Sequence, residues 1–274
     1  HPVDLHPRLP ADPRLVVSDM DGTLLNEHSR IPEEFWQVLA DLRRAGITFA
    51  IASGRQYPSL EDLFDRDRSG VAFIADNGGY VVRDGAEIAS FPLSRAAARG
   101  AVRAVRGLAD AADIAVVWSG RTGAYVEHTD PDFVAQAHSF YPGLQIVGDL
   151  TAVGEEPIKL SIVNPRGPSP DYLAALQAAA PEARLLQTTE TWVDVIHPQV
   201  DKGSAVVALQ TALGISADQT VVFGDYLNDL EMMGVATFAF AMANAHPDVV
   251  ERAKAVVPSN RELGAIRTMA SLLG

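Results

Sequence analysis

Two carboxylates stand one residue apart in the stretch VVSDMDGTLLN, residues 16–26, where Asp19 and Asp21 follow apolar side chains. The apolar run is typical of a buried strand in a parallel sheet, and acids are rarely placed beside such a strand without partners. We therefore expect a positively charged group to compensate them. Carboxylate oxygens are hard ligands, which suit Mg²⁺.

Polar side chains also follow three later runs that are predicted to be strands. Ser53-Gly54-Arg55 follow ITFAIA, Asp76-Asn77 follow VAFIA, and Asp225 follows TVVFG. In an open parallel sheet these strand ends share one edge, where ligands bind. The predicted oxygen ligands for Mg²⁺ at this edge are Asp19, Asp21, Asp225 and Asp229, with Asn228 beside them.

Other motifs fit less well. DMDGT could begin a calcium-binding EF-hand loop, but its glycine is at the fourth position, where that loop needs it at the sixth. The sequence contains no G-x-x-x-x-G-K-[ST], no G-x-S-x-G and no H-E-x-x-H. Its seven histidines lack the spacing of metal ligands.

The predicted elements form one domain interrupted by another. Short apolar runs alternate with helical patterns over residues 14–86 and again over 198–274, which is typical of an α/β domain with a parallel sheet. Residues 87–197 predict an inserted α+β domain. Residues 1–13 contain four prolines and are expected to form a loose N-terminal tail.

The transition between the two domains follows Asn77-Gly78-Gly79. Residues 80–88, YVVRDGAEI, predict a hairpin that turns at Asp84-Gly85 and marks the end of the parallel sheet. The predicted order of the inserted region is a helix (95–112), a hairpin (115–128), a short helix after Pro131, a strand (158–164), a helix (170–180) and two paired strands (185–189 and 191–196).

Composition limits the possible partners and compartments. The chain has 274 residues, 47% of them hydrophobic, and a formal net charge of -13, which disfavours binding to nucleic acid or to anionic membrane surfaces. No apolar run approaches the roughly 18 residues of a membrane span, and no secretory signal is evident, so a cytoplasmic location is expected. The absence of cysteine excludes disulfides and thiolate chemistry. No obligate protein partner is evident.

Four segments together resemble the motifs of the haloacid dehalogenase superfamily phosphatases. They are Asp19-Met20-Asp21-Gly22-Thr23, Ser53-Gly54-Arg55, Lys202-Gly203 and Gly224-Asp225-Tyr226-Leu227-Asn228-Asp229. The inserted region and the stretch AMANAHPDVVERAKAVVPSN resemble the Cof-like subfamily with a type IIB cap. The resemblance implies a Rossmann-like core with an α+β cap. One departure is Asn77-Gly78-Gly79, where the family usually has Asn-Gly-Ala.

The resemblance also implies a role for each motif residue. Asp19 would be the nucleophile that forms an aspartyl-phosphate, and Asp21 would protonate the leaving alcohol and later deprotonate water. Mg²⁺ would be held by Asp19, by Asp225 and by the main-chain carbonyl of Asp21. Lys202 would add a fixed positive charge. The predicted phosphate or substrate contacts are Ser53, Gly54, Arg55 and Asn228.

Each assignment has a structural alternative. Asp21 could only cap a turn, Ser53 could cap a helix, and Lys202 could be a solvated lysine, although lysine disfavours a helix N-terminus. Arg55 could form a surface ion pair, while Asn228 and Asp229 could cap the following helix. In the inserted region, Trp118, Arg121, Tyr125 and His128 could contact the leaving group or could only pack within their hairpin.

These observations predict a Mg²⁺-dependent phosphomonoesterase that acts on a small phosphorylated metabolite, with a sugar phosphate as the expected class. A phosphomutase that uses the same aspartyl-phosphate remains an alternative. A metal- or phosphate-binding module without catalysis is a weaker one, because Asp19, Asp21, Lys202 and Asp225 are all present.

Overall fold

The computed structural model describes residues 2–274, which form two compact units. The first unit contains the chain up to Gly54 together with Glu61–Ala89 and Asp201–Gly274. The second contains Arg55–Leu60 and Ser90–Val200. The sequence-based boundaries at residues 87 and 197 placed Arg55–Leu60 in the first domain, whereas these residues belong to the second unit.

Within residues 2–274, the first unit contains an eight-stranded sheet in the order β14-β13-β12-β1-β2-β3-β4-β5. Its strands are β1 (Leu15–Asp19), β2 (Thr48–Ala52), β3 (Ala72–Ala75), β4 (Tyr80–Arg83), β5 (Ala86–Ser90), β12 (Thr220–Gly224), β13 (Phe238–Met242) and β14 (Ala255–Val257). Strands β1 to β3 and β12 to β14 are parallel. The α/β fold class is confirmed.

The strand order places a topological switch between β1 and β12. The chain runs from β1 outward to β3 on one side, and from β12 outward to β14 on the other. Ser18 is in register with Phe223, so these two strands end side by side. Ligand sites of open parallel sheets form at this kind of crevice.

The predicted hairpin at Asp84-Gly85 is present, but it does not leave the sheet. Strand β4 pairs antiparallel with β3, and β5 extends the same sheet at its edge. Asp84 and Gly85 both have positive φ, 49° and 74°, as the turn of a two-residue hairpin requires. The hairpin therefore marks the end of the parallel pairing, as predicted, while the same sheet continues with antiparallel strands.

The helices of the first unit are α1 (Glu33–Arg44), α6 (Lys202–Leu213), α7 (Leu230–Met233), α8 (Pro247–Arg252) and α9 (Gly264–Ser271). Helix α2 (Tyr57–Leu63) is divided between the segments assigned to the two units. One face of α6 is apolar and packed, because Val206 and Leu209 are fully buried and Leu213 packs against the same cluster.

The prediction of a loose tail was wrong for the part of the tail that the structure describes. Val3 forms a parallel bridge with Val256, and the Asp4 N–H donates to the carbonyl of Val256 at 2.7 Å. Pro7 and Pro10 are buried. Backbone pairing with the edge strand β14 orders a segment whose prolines suggested disorder.

The second unit contains a six-stranded sheet in the order β10-β11-β9-β6-β7-β8 among the described residues. Its strands are β6 (Ala115–Ser119), β7 (Ala124–Val126), β8 (Leu144–Ile146), β9 (Lys159–Val163), β10 (Arg184–Gln187) and β11 (Trp192–Ile196), and its helices are α3 (Arg95–Arg106), α4 (Pro131–Phe140) and α5 (Pro170–Ala179). All neighbours pair antiparallel except β7 and β8. Strand β8 was not predicted.

The two faces of this second sheet differ. Helices α3 and α5 pack on the face that carries Trp118, Leu160 and Ile162. Helix α4 packs on part of the other face, against Val117 and Val126. Of the helices among residues 2–274, none has the length and apolar character needed to cross a membrane.

Candidate active site

Asp19 is the last residue of β1 and is followed by a tight turn. Asp21 has φ −72° and ψ 124°, and Gly22 has φ 80° and ψ −3°, which are the angles of a type II turn. A Cβ atom at Gly22 would lie 2.2 Å from Asp225 Oδ2. Glycine is therefore required both by the backbone conformation and by the close approach of Asp225.

Lys202 lies at the first position of α6, after the N-cap Asp201, whose side chain accepts a hydrogen bond from the Ser204 N–H at 2.6 Å. The Lys202 side chain is fully buried. Its Nζ donates to Asp19 Oδ1 at 2.5 Å and to Asp229 Oδ1 at 2.7 Å. The alternative of a solvated lysine is therefore wrong.

Asp229 holds together the loop that follows β12. Its second oxygen, Oδ2, accepts hydrogen bonds from the N–H groups of Asp225 at 2.9 Å and Tyr226 at 3.1 Å. The residue has no exposed surface. One buried carboxylate thus positions both Lys202 and the backbone of Asp225.

Thr23 orients the remaining carboxylate. Its Oγ1 donates to Asp225 Oδ1 at 3.0 Å, and Asp225 is half-buried. Thr23 was not among the predicted site residues. Its place two residues after Asp21 in the DMDGT motif was the available signal.

The cluster contains three carboxyl groups and one ammonium group, and burial and neighbouring charges shift the pKa values of Asp19, Asp225 and Lys202. Burial raises the pKa of Asp19 well above its ordinary value; Lys202 opposes this effect, and Asp229 and Asp225 add to it. Burial also raises the pKa of Asp225. Burial alone would lower the pKa of Lys202, but Asp19 and Asp229 outweigh it and raise that pKa, so the ammonium stays charged. Further positive charge would stabilise the ionised carboxylates.

The donor set fits a divalent cation. Asp19, Asp225 and Asp229 each offer a carboxylate oxygen, and these atoms lie within 4.8 Å of one another. Three carboxylates beside one ammonium leave an excess of negative charge, and hard oxygen donors suit Mg²⁺. Among residues 2–274, this set of clustered carboxylates does not include that of Asp21, which is an exposed residue.

A second set of predicted residues meets around Asn77. The Asn77 N–H donates to the carbonyl of Ser53 at 2.9 Å, and Asn228 Nδ2 donates to Asn77 Oδ1 at 3.1 Å. A Cβ atom at Gly54 would lie 3.2 Å from Asn77 Nδ2. Ser53 is buried at the end of β2. Asn77 therefore connects the loops that carry the predicted phosphate contacts, although the sequence left its role open.

The backbone near Asn77 is unusual. Asp76 and Asn77 have positive φ, 52° and 55°, and Gly78 follows at 105°. Consecutive left-handed residues without glycine are uncommon, and they concentrate where a site fixes the backbone. Arg55, predicted beside Gly54, belongs to the second unit and is half-buried.

The four candidates of the inserted region are engaged in packing or in local bonds. Trp118 is fully buried on the face under α3 and α5, with its Nε1 donating to the carbonyl of Glu155 at 3.1 Å. The Tyr125 hydroxyl donates to the same residue's carboxylate at 2.8 Å. Arg121 pairs with Glu156 at 2.9 Å, and His128 packs against Phe133 with ring centroids 5.3 Å apart. These contacts favour the packing alternative.

Comparison with known proteins agrees with the geometry. Residues 16–269 match the family model of the haloacid dehalogenase-like hydrolases. The 5-amino-6-(5-phospho-D-ribitylamino)uracil phosphatase YbjI of Escherichia coli K12 is 30% identical over 263 residues, covering 95% of this chain and 96% of that protein. The HMP-PP phosphatase of Cronobacter sakazakii is 26% identical over 240 residues, covering 86% of each chain.

Solved structures show the same fold. The subclass IIB sugar phosphatase BT4131 superposes with a TM-score of 0.75 at 21% identity, over 94% of this chain and 98% of that one. The family model spans most of the chain, and a 30% identical phosphatase aligns with nearly all of it. This chain therefore belongs to the haloacid dehalogenase-like hydrolases and is a phosphatase enzyme of that family.

Proposed function

We propose that the enzyme is a Mg²⁺-dependent phosphomonoesterase that works through an aspartyl-phosphate on Asp19. The observation that carries the proposal is the buried contact of Asp19 with Lys202 at 2.5 Å, beside Asp225 and Asp229. A carboxylate held by an ammonium at the end of a strand is positioned to attack an electrophile that itself carries negative charge.

The proposed reaction has two steps. A carboxylate oxygen of Asp19 attacks phosphorus, the bond from phosphorus to the ester oxygen breaks, and Asp21 gives its proton to the departing alcohol. Water then attacks the acyl phosphate, its proton passes to Asp21, and inorganic phosphate leaves with Asp19 regenerated. The exposure of Asp21 suits a residue that exchanges protons with both alcohol and water.

Positive charge is needed for the first step. Two like charges about 4 Å apart repel by about 4 kcal/mol at an effective dielectric constant near 20. Lys202 supplies one fixed charge, and a bound Mg²⁺ would supply charge compensation for the carboxylates and the phosphoryl oxygens. Asp19 and Asp225, with the main-chain carbonyl of Asp21, are the proposed ligands.

We assign Asp229 chiefly to positioning. Its Oδ1 already binds Lys202, and its Oδ2 already accepts two backbone N–H groups. Ser53, Gly54 and Asn228 are proposed to bind phosphate oxygens, because Asn77 ties their loops to the same sheet edge.

The substrate class is proposed as a small phosphorylated metabolite, with a sugar phosphate as the first choice. The name of the Escherichia coli relative places its phosphate on a ribityl chain, and BT4131 is a sugar phosphatase. We propose that the second unit acts as the cap that selects the leaving group. Its own sheet and core are consistent with a separate domain.

Phosphate release tests the proposal. Purified enzyme with Mg²⁺ should release inorganic phosphate from p-nitrophenyl phosphate and from members of a sugar phosphate panel, without any bisphosphate activator. Asp19→Asn, prepared in parallel, controls for a contaminating phosphatase. A folded wild-type enzyme that released no phosphate from any ester, or an equally active Asp19→Asn variant, would refute the proposal.

A further inference from the structure

Two asparagines of the first unit contact the loop that carries Asp21, and the proposed reaction does not use them. Asn244 follows β13, and Asn260 follows β14. Both lie in the stretch AMANAHPDVVERAKAVVPSN, residues 241–260. Because the carboxyl ends of parallel strands share one edge of a sheet, the loops after β13 and β14 can reach the loop after β1.

The side-chain amide of each asparagine holds a main-chain carbonyl of the loop after β1. Asn244 Nδ2 donates to the Gly22 carbonyl at 2.8 Å, and Asn260 Nδ2 donates to the Leu25 carbonyl at 2.9 Å. These bonds join residues that are 222 and 235 positions apart in the sequence. The loop that carries Asp21 is therefore tied to two distant segments of the chain.

The two asparagines also bind each other. The Asn260 N–H donates to Asn244 Oδ1 at 3.2 Å. Asn244 thus donates through its amide nitrogen and accepts through its amide oxygen, which a carboxylate of the same shape cannot do. We call Asn244 and Asn260 the asparagine clamp.

The loop that carries Asn260 has a closely defined conformation of its own. Ser259 and Glu262 form a capping box, in which the Ser259 hydroxyl donates to Glu262 Oε2 at 3.0 Å and the Ser259 N–H donates to the same oxygen at 3.2 Å. Leu263 has φ 58°, a left-handed conformation that is uncommon for a residue other than glycine. Strain of this kind persists where the surrounding structure fixes the backbone.

Stability alone accounts poorly for the clamp. Asn244 is exposed, and Gly22 is half-buried. Water can donate to a carbonyl in such a position, so the net stability gained from the hydrogen bond is small. The larger consequence is geometric, because the bond fixes the direction of the Gly22 carbonyl.

The residue that this geometry controls is Asp21. Asp21 and Gly22 are the two central residues of the type II turn, so the direction of the Asp21 side chain follows the orientation of the turn. A group that transfers a proton must lie within hydrogen-bond reach of its partner, and a displacement of about 1 Å can lower a rate about a hundredfold. An exposed acid on a loop needs such support more than a buried one does.

We infer that Asn244 and Asn260 are positioning residues, which hold the turn of Asp21 in the orientation needed for proton transfer to the leaving oxygen and from the attacking water. The inference rests on the proposed phosphatase function and adds to it two residues that act through Asp21. Neither asparagine exchanges a proton itself.

Two aryl esters of nearly the same shape separate the positioning of Asp21 from general damage. p-Nitrophenolate can leave without a proton, whereas phenolate, a stronger base, needs one. The measured quantity is the kcat/KM of p-nitrophenyl phosphate divided by that of phenyl phosphate, in excess Mg²⁺. We call it the leaving-group ratio. A uniform loss of activity does not change it.

The expected changes follow the distance of each residue from the proton. Asp21→Asn should raise the leaving-group ratio about tenfold or more, and Asn244→Ala should raise it about fivefold. Asn260→Ala leaves the bond between Asn244 and Gly22 in place, so its effect should be about twofold. When Asp21→Asn is already present, Asn244→Ala should not raise the ratio further, because no proton remains to be positioned.

Asn26→Ala is the matched control. The Asn26 side chain accepts hydrogen bonds from the N–H groups of His28 at 3.0 Å and Arg30 at 3.1 Å, so its loss affects the following turn and neither bond of the clamp to the loop. The variant should keep the wild-type leaving-group ratio. Thermal unfolding of all variants shows which of them are folded.

Three results would overturn the inference while phosphatase activity is present. They are a leaving-group ratio that folded Asn244→Ala leaves unchanged, an equal rise in Asn26→Ala, and a further rise when Asn244→Ala is added to Asp21→Asn. If Asp21→Asn itself left the ratio unchanged, the proposed acid role of Asp21 would be wrong, and this inference with it. Absence of phosphate release in the folded wild-type enzyme would overturn the proposed function as a whole.

Discussion

Two buried charge clusters among residues 2–274 differ in the carboxylates that surround their lysine. At the sheet edge of the first unit, the carboxylates of Asp19, Asp225 and Asp229 share the ammonium of Lys202. On the sheet of the second unit, Lys159 Nζ lies 3.5 Å from Asp194 Oδ2. Three carboxylates share one ammonium in the first cluster, so an additional cation would stabilise it, whereas the second cluster contains a lysine for its aspartate.

The clusters also differ in the backbone that builds them. The first is assembled from turns at the ends of parallel strands, including the type II turn at Gly22 and the left-handed residues before Gly78. The second is assembled on the regular pleat of β9 and β11. Turns allow side chains from distant segments to converge on one atom, while a pleated face presents groups in a row. Convergence of this kind suits the proposed attack on a single phosphorus atom.

The largest expected effect is that of Asp19→Asn, which should lower kcat by at least about a thousandfold, because an amide cannot attack phosphorus. Without added metal the variant should be at least as stable as the wild type, since burial raises the pKa of Asp19 and already favours a neutral group there. Phosphate release and thermal unfolding measure the two quantities. Appreciable activity would place the nucleophile elsewhere.

Removal of Mg²⁺ should have the second-largest effect on activity. Excess EDTA should abolish phosphate release, and added Mg²⁺ should restore it, because the carboxylates of the first cluster repel both one another and the substrate. Thermal unfolding should also shift upward with Mg²⁺ through the first unit. Lys159→Met, in the second unit, should keep the wild-type Mg²⁺ dependence. Full turnover in EDTA would contradict the proposed role of the cation.

The third prediction compares two lysines. Lys202→Met should lower kcat by about a hundredfold or more and should also destabilise the fold, because it leaves buried carboxylates without their ammonium. Lys254→Met, at an exposed position of the same unit, is the matched control and should change neither. Enzyme kinetics and thermal unfolding of both variants check this, and a similar small effect at both positions would remove Lys202 from the proposed mechanism.

The extent to which sequence predicted these two clusters reflects the same difference. Asp19 and Asp225 of the first cluster were predictable because they follow contiguous buried runs, and parallel strands bring their ends to one edge. Lys202 opens a helix, and its role was predicted only from the resemblance of the four motifs. The contact of Lys159 with Asp194 was not predicted, because it depends on the register between β9 and β11, which the sequence does not reveal. Strand β8 has only three residues, Leu144–Ile146, which is too short for a recognisable alternation. The pairing of Val3 with Val256 likewise depends on a contact between the two ends of the chain.

The smallest expected effect compares the hydroxyl that supports a carboxylate in each cluster. Thr23 donates to Asp225 Oδ1 at 3.0 Å, and Ser161 donates to Asp194 Oδ1 at 2.7 Å. If Asp225 binds Mg²⁺, loss of the hydrogen bond that orients it should raise the Mg²⁺ concentration for half-maximal activity about tenfold, as is typical for groups that support metal ligands. Thr23→Val keeps the side-chain shape and removes only the donor.

Ser161→Ala is the control, because it removes the equivalent donor in a cluster that should hold no metal. Its Mg²⁺ requirement should stay within about twofold of the wild type, while its thermal stability should fall modestly. The measurement is a Mg²⁺ titration of p-nitrophenyl phosphate hydrolysis for both variants and the wild type. Equal shifts in the two variants would mean that the Mg²⁺ requirement reports a general loss of stability, and the proposed contrast between a cluster that binds metal and one that does not would then be wrong.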